Sequence, residues 1–246
     1  MFLGPHDLIG TVSAQYQLID KLVRSAKGET RRGLLRIGAA YAALVGWLYQ
    51  DAGDMDGASF WRGVTQEIAI RSRDPHLIGH SLVNQAQVRT DLGDGHAVID
   101  LCEAALDNAD HLVPKVRILA MQQQAHGASL AGERCSVDQL LDEAVRLLPR
   151  IDDDLPWGNA CRRTPGYLEV QRATCYGRLG LDAEAGPCGR RCSRSCRRRP
   201  AETAAFTWRG RPPRPPPRAS LTKHWRSPRP WRRSSPRLAP HACAGN

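Results

Sequence analysis

Gly46-Trp47-Leu48-Tyr49-Gln50-Asp51-Ala52-Gly53-Asp54 is the stretch on which the reading of this chain turns. A small residue is followed seven positions later by a glycine and then by an acid. The same interval returns as Ala86 with Gly93, Ala125 with Gly132 and Ala173 with Gly180. Gly53, Gly93 and Gly132 lead directly into Asp54, Asp94 and Glu133. A glycine can take the left-handed conformation that closes a helix, and an acid behind it suits the positive end of the helix that follows. Five residues beyond each glycine stands a small or β-branched residue (Ala58, Val98, Val137, Ala185), and twelve beyond two of them stands Ala105 or Ala144. Such positions let the two helices of a pair approach closely. A register kept through four units is a repeat signature.

Between these markers Ala, Leu, Val and Ile recur at three- and four-residue spacing with few alternating β-branched runs, which predicts helix after helix. The expected fold is all-α. Residues 1–32 form an N-terminal helical segment or linker, 33–185 an irregular α-solenoid of helix pairs, and 186–246 a disordered Arg/Pro-rich tail. The glycines are spaced 40, 39 and 48 residues apart. That leaves room for long loops between repeats, around Asp74-Pro75 and from Ile151 to Pro165.

The register resembles the tetratricopeptide repeat, in which a small residue on the first helix, a turn glycine and alanines on the second let the helices nest. Tyr49 and Tyr176 fall where that motif carries its first-helix aromatic, and Pro149 where it carries its closing proline. The spacings exceed the roughly 34 residues of that repeat. Three runs are more specific: Gly46 to Asp54, Leu119-Ala-Met-Gln-Gln-Gln-Ala-His-Gly127, and Tyr167-Leu-Glu-Val-Gln-Arg-Ala-Thr-Cys-Tyr176. They resemble the repeat region of actinobacterial transcriptional regulators that join an N-terminal helix-turn-helix domain to a tetratricopeptide-like sensor. The resemblance covers about residues 8 to 185. It implies a sensor or protein-interaction part. The chain opens on Gly4-Pro5-His6-Asp7 and reaches the repeats with no room for a recognition helix, so the DNA-binding half is expected to be missing.

Charge divides the chain at about Gly186. The whole carries 35 Lys and Arg against 25 Asp and Glu, a formal net charge of +10. Residues 186–246 hold 16 of those basic residues and a single acid, Glu202, which leaves residues 1–185 at −5. The body therefore has no basic stripe for specific nucleic-acid binding. The N-terminus lacks the charged start and apolar run of a secretory signal, and no stretch approaches the apolar length of a membrane span. Cys102, Cys135, Cys161 and Cys175 lack a framework spacing, which suits reduced thiols and a cytoplasmic location.

The tail holds 11 of the 17 prolines and too little apolar surface to offset the entropy of ordering. Its Arg, Pro, Ser, Cys and Trp are what high-GC coding DNA yields when read out of frame, and shifted codons for Glu202 to Trp208 permit Asp-Arg-Gly-Val-His-Leu. We read it as frameshifted near Gly186, with the fourth repeat cut halfway. The helix Tyr167 to Leu179 is then expected to lose its partner, leaving an apolar flank exposed and the body marginally stable. The rival reading is a basic-tailed protein that associates nonspecifically with nucleic acid through residues 186–246.

Other clusters read as bland. Cys188, Cys192 and Cys196 fit no zinc or iron-sulfur spacing. His76 and His80 sit four apart without an acidic third ligand and read as a solvated helix face. Asp152-Asp153-Asp154, between Pro149 and Pro156, reads as a solvated loop. Phosphate-binding glycine loops, nucleophile elbows and metalloprotease helices are lacking. The chain is therefore expected to work by binding and not as an enzyme, with no cofactor and no metal. Registering it on the repeat places Trp47, Gln50 and Asp51, then Gln87 and Thr90, then Gln122, His126 and Ser129 on a concave groove for a peptide, protein or small polar ligand, with no membrane partner.

Overall fold

The computed structural model describes residues 4–107, 109–151 and 166–188. The readings made for Asp152-Asp153-Asp154, for Cys192 and Cys196, and for the Arg/Pro-rich tail lie outside the described residues, apart from the tail's first three. Within them the fold is all-helical and contains no strand. Its α-helices are α1 (Pro5–Ser25), α2 (Gly28–Asp51), α3 (Met55–Ser72), α4 (Pro75–Asp91), α5 (Gly95–Leu106), α6 (Pro114–Leu130), α7 (Arg134–Leu147) and α8 (Tyr167–Arg178). Residues 182–188 are helical again. Since α2 starts at Gly28, the boundary drawn at residue 33 falls inside it.

The repeat glycines build one turn four times. Gly53, Gly93, Gly132 and Gly180 have φ of 82°, 76°, 81° and 72°, a region open to glycine at little cost. In the first unit Gly53 N–H donates to the Gln50 carbonyl at 3.0 Å and Asp54 N–H to that of Tyr49 at 2.9 Å. Asp94 to Arg89 (3.0 Å), Glu133 to Ala128 (2.9 Å) and Leu181 to Tyr176 (2.8 Å) repeat the second bond. This paired closure satisfies the last carbonyls of the outgoing helix. The incoming helix is capped at once: Asp54 Oδ1 accepts from Gly57 N–H at 2.8 Å and Asp94 Oδ1 from Ala97 N–H at 3.1 Å. In every unit one helix ends two residues before the glycine and the next starts two residues after it.

Consecutive helices from α1 to α7 pack on one another, and α2, α4, α6 and α8 touch in succession. Ala58, Val98 and Val137, five residues past their glycines, are fully buried, as is Ala144, and Ala105 nearly so. Separate apolar clusters join neighbouring helices: Val23, Leu35, Ala39, Ala42, Ile68 and Leu77 near the N-terminus, and Ile118, Ala125, Val137, Leu141 and Leu168 further along. Asp74 ties two units together. Its Oδ1 caps α4 through His76 N–H at 3.0 Å, while its Oδ2 accepts from Arg36 Nε on α2 at 3.0 Å.

The expectation of an unpartnered fourth-unit helix is corrected. Leu181, Ala185 and Cys188 pack against the cluster that contains Tyr176 and Leu168. Arg134 of α7 pairs with Glu184 at 2.5 Å, and Tyr176 donates its hydroxyl to Asp138 at 2.6 Å. The reason is that the Gly180 turn forms like the other three and folds the chain back onto α8.

Candidate ligand-binding cavity

A cavity of about 320 Å³ opens between α2, α3 and α4. Ala39, Ala40, Ala43, Leu44 and Trp47 of α2, with Leu77 of α4, supply apolar wall. Arg62 and Thr65 of α3, with His80, Asn84 and Gln87 of α4, supply the polar groups. Comparison of the units shows why a hollow exists here. Counted from the turn glycine, Ala39, Ala40 and Ala43 occupy the positions that unit three fills with Ile118, Leu119 and Gln122. Arg62 and Thr65 stand where the later units carry Cys102 and Leu141, and Ala105 and Ala144, all buried. Unit one has alanines on its first helix where unit three has larger side chains, and polar residues on its second helix where both later units are apolar.

Arg62 is 2% exposed. Its Nη1 donates to the Ala43 carbonyl at 3.3 Å, and its Nη2 to Gln50 Oε1 at 2.9 Å and to Gln87 Oε1 at 3.5 Å. All three acceptors are neutral. A guanidinium carries five N–H donors, and Nε is buried without a hydrogen-bond partner. Among the described residues none of the ion pairs includes Arg62. Its charge reaches a carboxylate only through an amide, because Gln50 Nε2 donates in turn to Asp91 Oδ2 at 2.5 Å. Burial lowers the Arg62 pKa to about 10, with Asp91 pulling the other way. Gly46 makes room for this side chain: a Cβ there would meet Arg62 Cδ at 3.4 Å and Trp61 Cβ at 3.3 Å.

His80 shares the cavity, which corrects the expectation that it lies on a solvated face, while His76 is half-buried. His80 Nδ1 is 3.3 Å from Asn84 Nδ2, and His76 Nδ1 accepts from Val113 N–H at 3.4 Å. Burial, then the nearby charges of Arg62 and Lys115, push the His80 pKa down to about 3. The imidazole is therefore neutral at physiological pH. No group of three or more His, Cys, Asp or Glu able to hold a metal occurs among the described residues.

The structure distributes the eight groove residues predicted from sequence over distinct surroundings. Trp47, 38% exposed, and Gln87 line the cavity. Gln50 orients Arg62 from beside it, and Asp51 is exposed on the last turn of α2. Thr90 accepts from Gln123 Nε2 at 2.6 Å between α4 and α6. Gln122, His126 and Ser129 are not on an open groove. They are buried, because α6 is enclosed by α4, α5, α7 and α8.

His126 sits at the centre of its own network. Arg178 Nη1 lies 2.6 Å from Nδ1 and Gln171 Oε1 lies 2.8 Å from Nε2. The guanidinium can only donate, so Nδ1 accepts and the ring proton resides on Nε2. Burial and the Arg178 charge push its pKa down to about 4. Cys175 Sγ lies 3.5 Å from Nδ1, a distance that suggests a nucleophile and its base. The chemistry says otherwise: burial raises the thiol to about 11, and the nitrogen that would take its proton is held by Arg178. The pair is a packing contact.

Sequence reading missed Arg62, Thr65 and Asn84, and took His80 for surface. The signal was available in the register, as a charge at a position where two other units are apolar. Among the described residues no helix is long and apolar enough to cross a membrane. Set against protein-family models, curated proteins and solved structures, the chain finds no match.

Proposed function

We propose that this chain is a binding module, an irregular α-solenoid of tetratricopeptide-like pairs related to the sensor part of transcriptional regulators, and that it takes a small ligand between its first two units. The repeated glycine turn and the succession α2, α4, α6, α8 support the solenoid reading. One observation carries the binding reading: unit one places polar Arg62 and Thr65 where both later units are apolar, and these two side chains line one cavity with the small residues Ala39, Ala40 and Ala43. Ligand sites are concave, largely apolar and furnished with a few placed polar groups. In a protein that joins such a module to a second domain, a ligand preferring one arrangement of the units would shift the populations of the whole.

Amide and indole resonances assigned across the chain test this during titration with a library of small fragments. Shifts should concentrate at the Trp47 indole, the Gln87 amide and the backbone of α2 and α4. A library that perturbs only other surfaces, or none, removes the reading.

A further inference from the structure

The cavity holds a cation that nothing in its own wall neutralises. Arg62 is buried, bonded to amide and carbonyl oxygens, and has an N–H without a partner. Its contact to Gln87 Oε1, at 3.5 Å, is long for a hydrogen bond. A buried charge ordinarily has a partner of opposite sign. Asp91 acts on this guanidinium from beyond the cavity wall, through Gln50. The rest of the lining includes alanines, leucines and Trp47.

We propose that the cavity binds a small apolar carboxylic acid as its anion, with the carboxylate against Arg62 and the hydrocarbon body along Ala39, Ala43, Leu44 and Trp47. The inference rests on the binding reading above and adds the chemical class of the ligand. A single negative charge matches a single guanidinium. Asn84 and Gln87 carry amide N–H groups that can turn toward the second carboxylate oxygen. A phosphate ester would bring more charge and more acceptor oxygens than this mostly apolar wall can serve. Size agrees. At about 30 Å³ for each water, a cavity of about 320 Å³ accepts a body of roughly ten non-hydrogen atoms.

Calorimetric titration of the full chain with octanoate and octanamide, and with 3-phenylpropanoate and its amide, tests the charge directly and needs no variant. Each acid should bind more tightly than its amide by about tenfold or more, as expected for a charge-assisted hydrogen bond. In Arg62→Met that preference should vanish. In Trp47→Ala, at the exposed rim, both members of a pair should weaken together while the preference survives. Equal affinity for acid and amide in the unaltered chain, or an acid preference retained by Arg62→Met, overturns the proposal but leaves a neutral-ligand cavity. If neither acid nor amide binds while other fragments shift Trp47 and Gln87, the carboxylate inference falls and the binding reading stands. If no fragment shifts them either, both fall.

Discussion

Gly95 and Gly127 meet backbone to backbone where α5 begins against α6. A Cβ on Gly95 would come within 2.9 Å of the Gly127 carbonyl oxygen, and a Cβ on Gly127 within 2.9 Å of the Gly95 carbonyl oxygen and 2.8 Å of Val98 Cγ1. Neither backbone can yield without separating the helices. Gly127→Ala should therefore destabilise the fold by about 2 kcal/mol or more, despite the helix propensity it gains. Gly63, on the exposed side of α3, has nothing within 4 Å of its Cβ position. Gly63→Ala should instead add about 0.5 to 1 kcal/mol. Urea unfolding of the two variants checks the contrast, and equal shifts of either sign would refute it.

Arg62→Met should fold. The later units carry Cys102 and Leu141 at the same register position and bury them completely. Replacing a buried, incompletely satisfied charge with an apolar side chain is often neutral or stabilising. The expected melting temperature is unchanged or higher. A large drop would show that the bonds to Ala43 and Gln50 hold α2 and α3 together.

Acid should loosen the C-terminal end. The folded-state pKa of His126 is about 4, against its ordinary 6.5. Between those values the unfolded chain takes up a proton that the folded chain refuses, so stability falls as pH drops through that window and is fully present above it. A depression of that size corresponds to about 3 kcal/mol. His126→Gln should weaken the dependence. Urea midpoints measured at about pH 7 and about pH 4.5 for both proteins give the answer: His80, pushed down to about 3, adds a slope of the same sign and similar size that persists in the variant, so the dependence should fall by about half and not vanish.

Thiol labelling should sort the cysteines by environment. Cys102 and Cys175 are buried, and burial pushes them up to about 12 and about 11. Cys135 is exposed. Iodoacetamide on the native protein, followed by peptide mapping, should mark Cys135 and spare Cys102 and Cys175 until denaturant is added. Rapid native labelling at Cys175 would contradict its packing contact with His126.

The turns were legible in the sequence because one residue type answers one backbone demand: a glycine with positive φ ends each of four helices, and its intervals can be counted. The buried alanines and valines followed from the same count. The cavity was harder to see. Its decisive group, Arg62, lies on the second helix of its pair, while groove residues were sought on the first helices. Gln122, His126 and Ser129 looked like groove because they are polar. Their burial depends on how much of α6 its neighbours cover, a property of several helices together that no single interval encodes. His80 failed similarly: its surroundings come from Arg62 and Lys115, eighteen and thirty-five residues away.

The constancy of the glycine turn has a consequence for how such a chain can diversify. The connection depends on the glycine and on backbone groups within a few residues of it, so it makes no demand on what lies nine or twelve positions further along. Joint and cargo vary independently. A unit can exchange a core leucine for an arginine, or an isoleucine for an alanine, and still be delivered to the same place beside its neighbour. New recognition surfaces can then arise by substitution inside a unit, with the scaffold's connections left as they were.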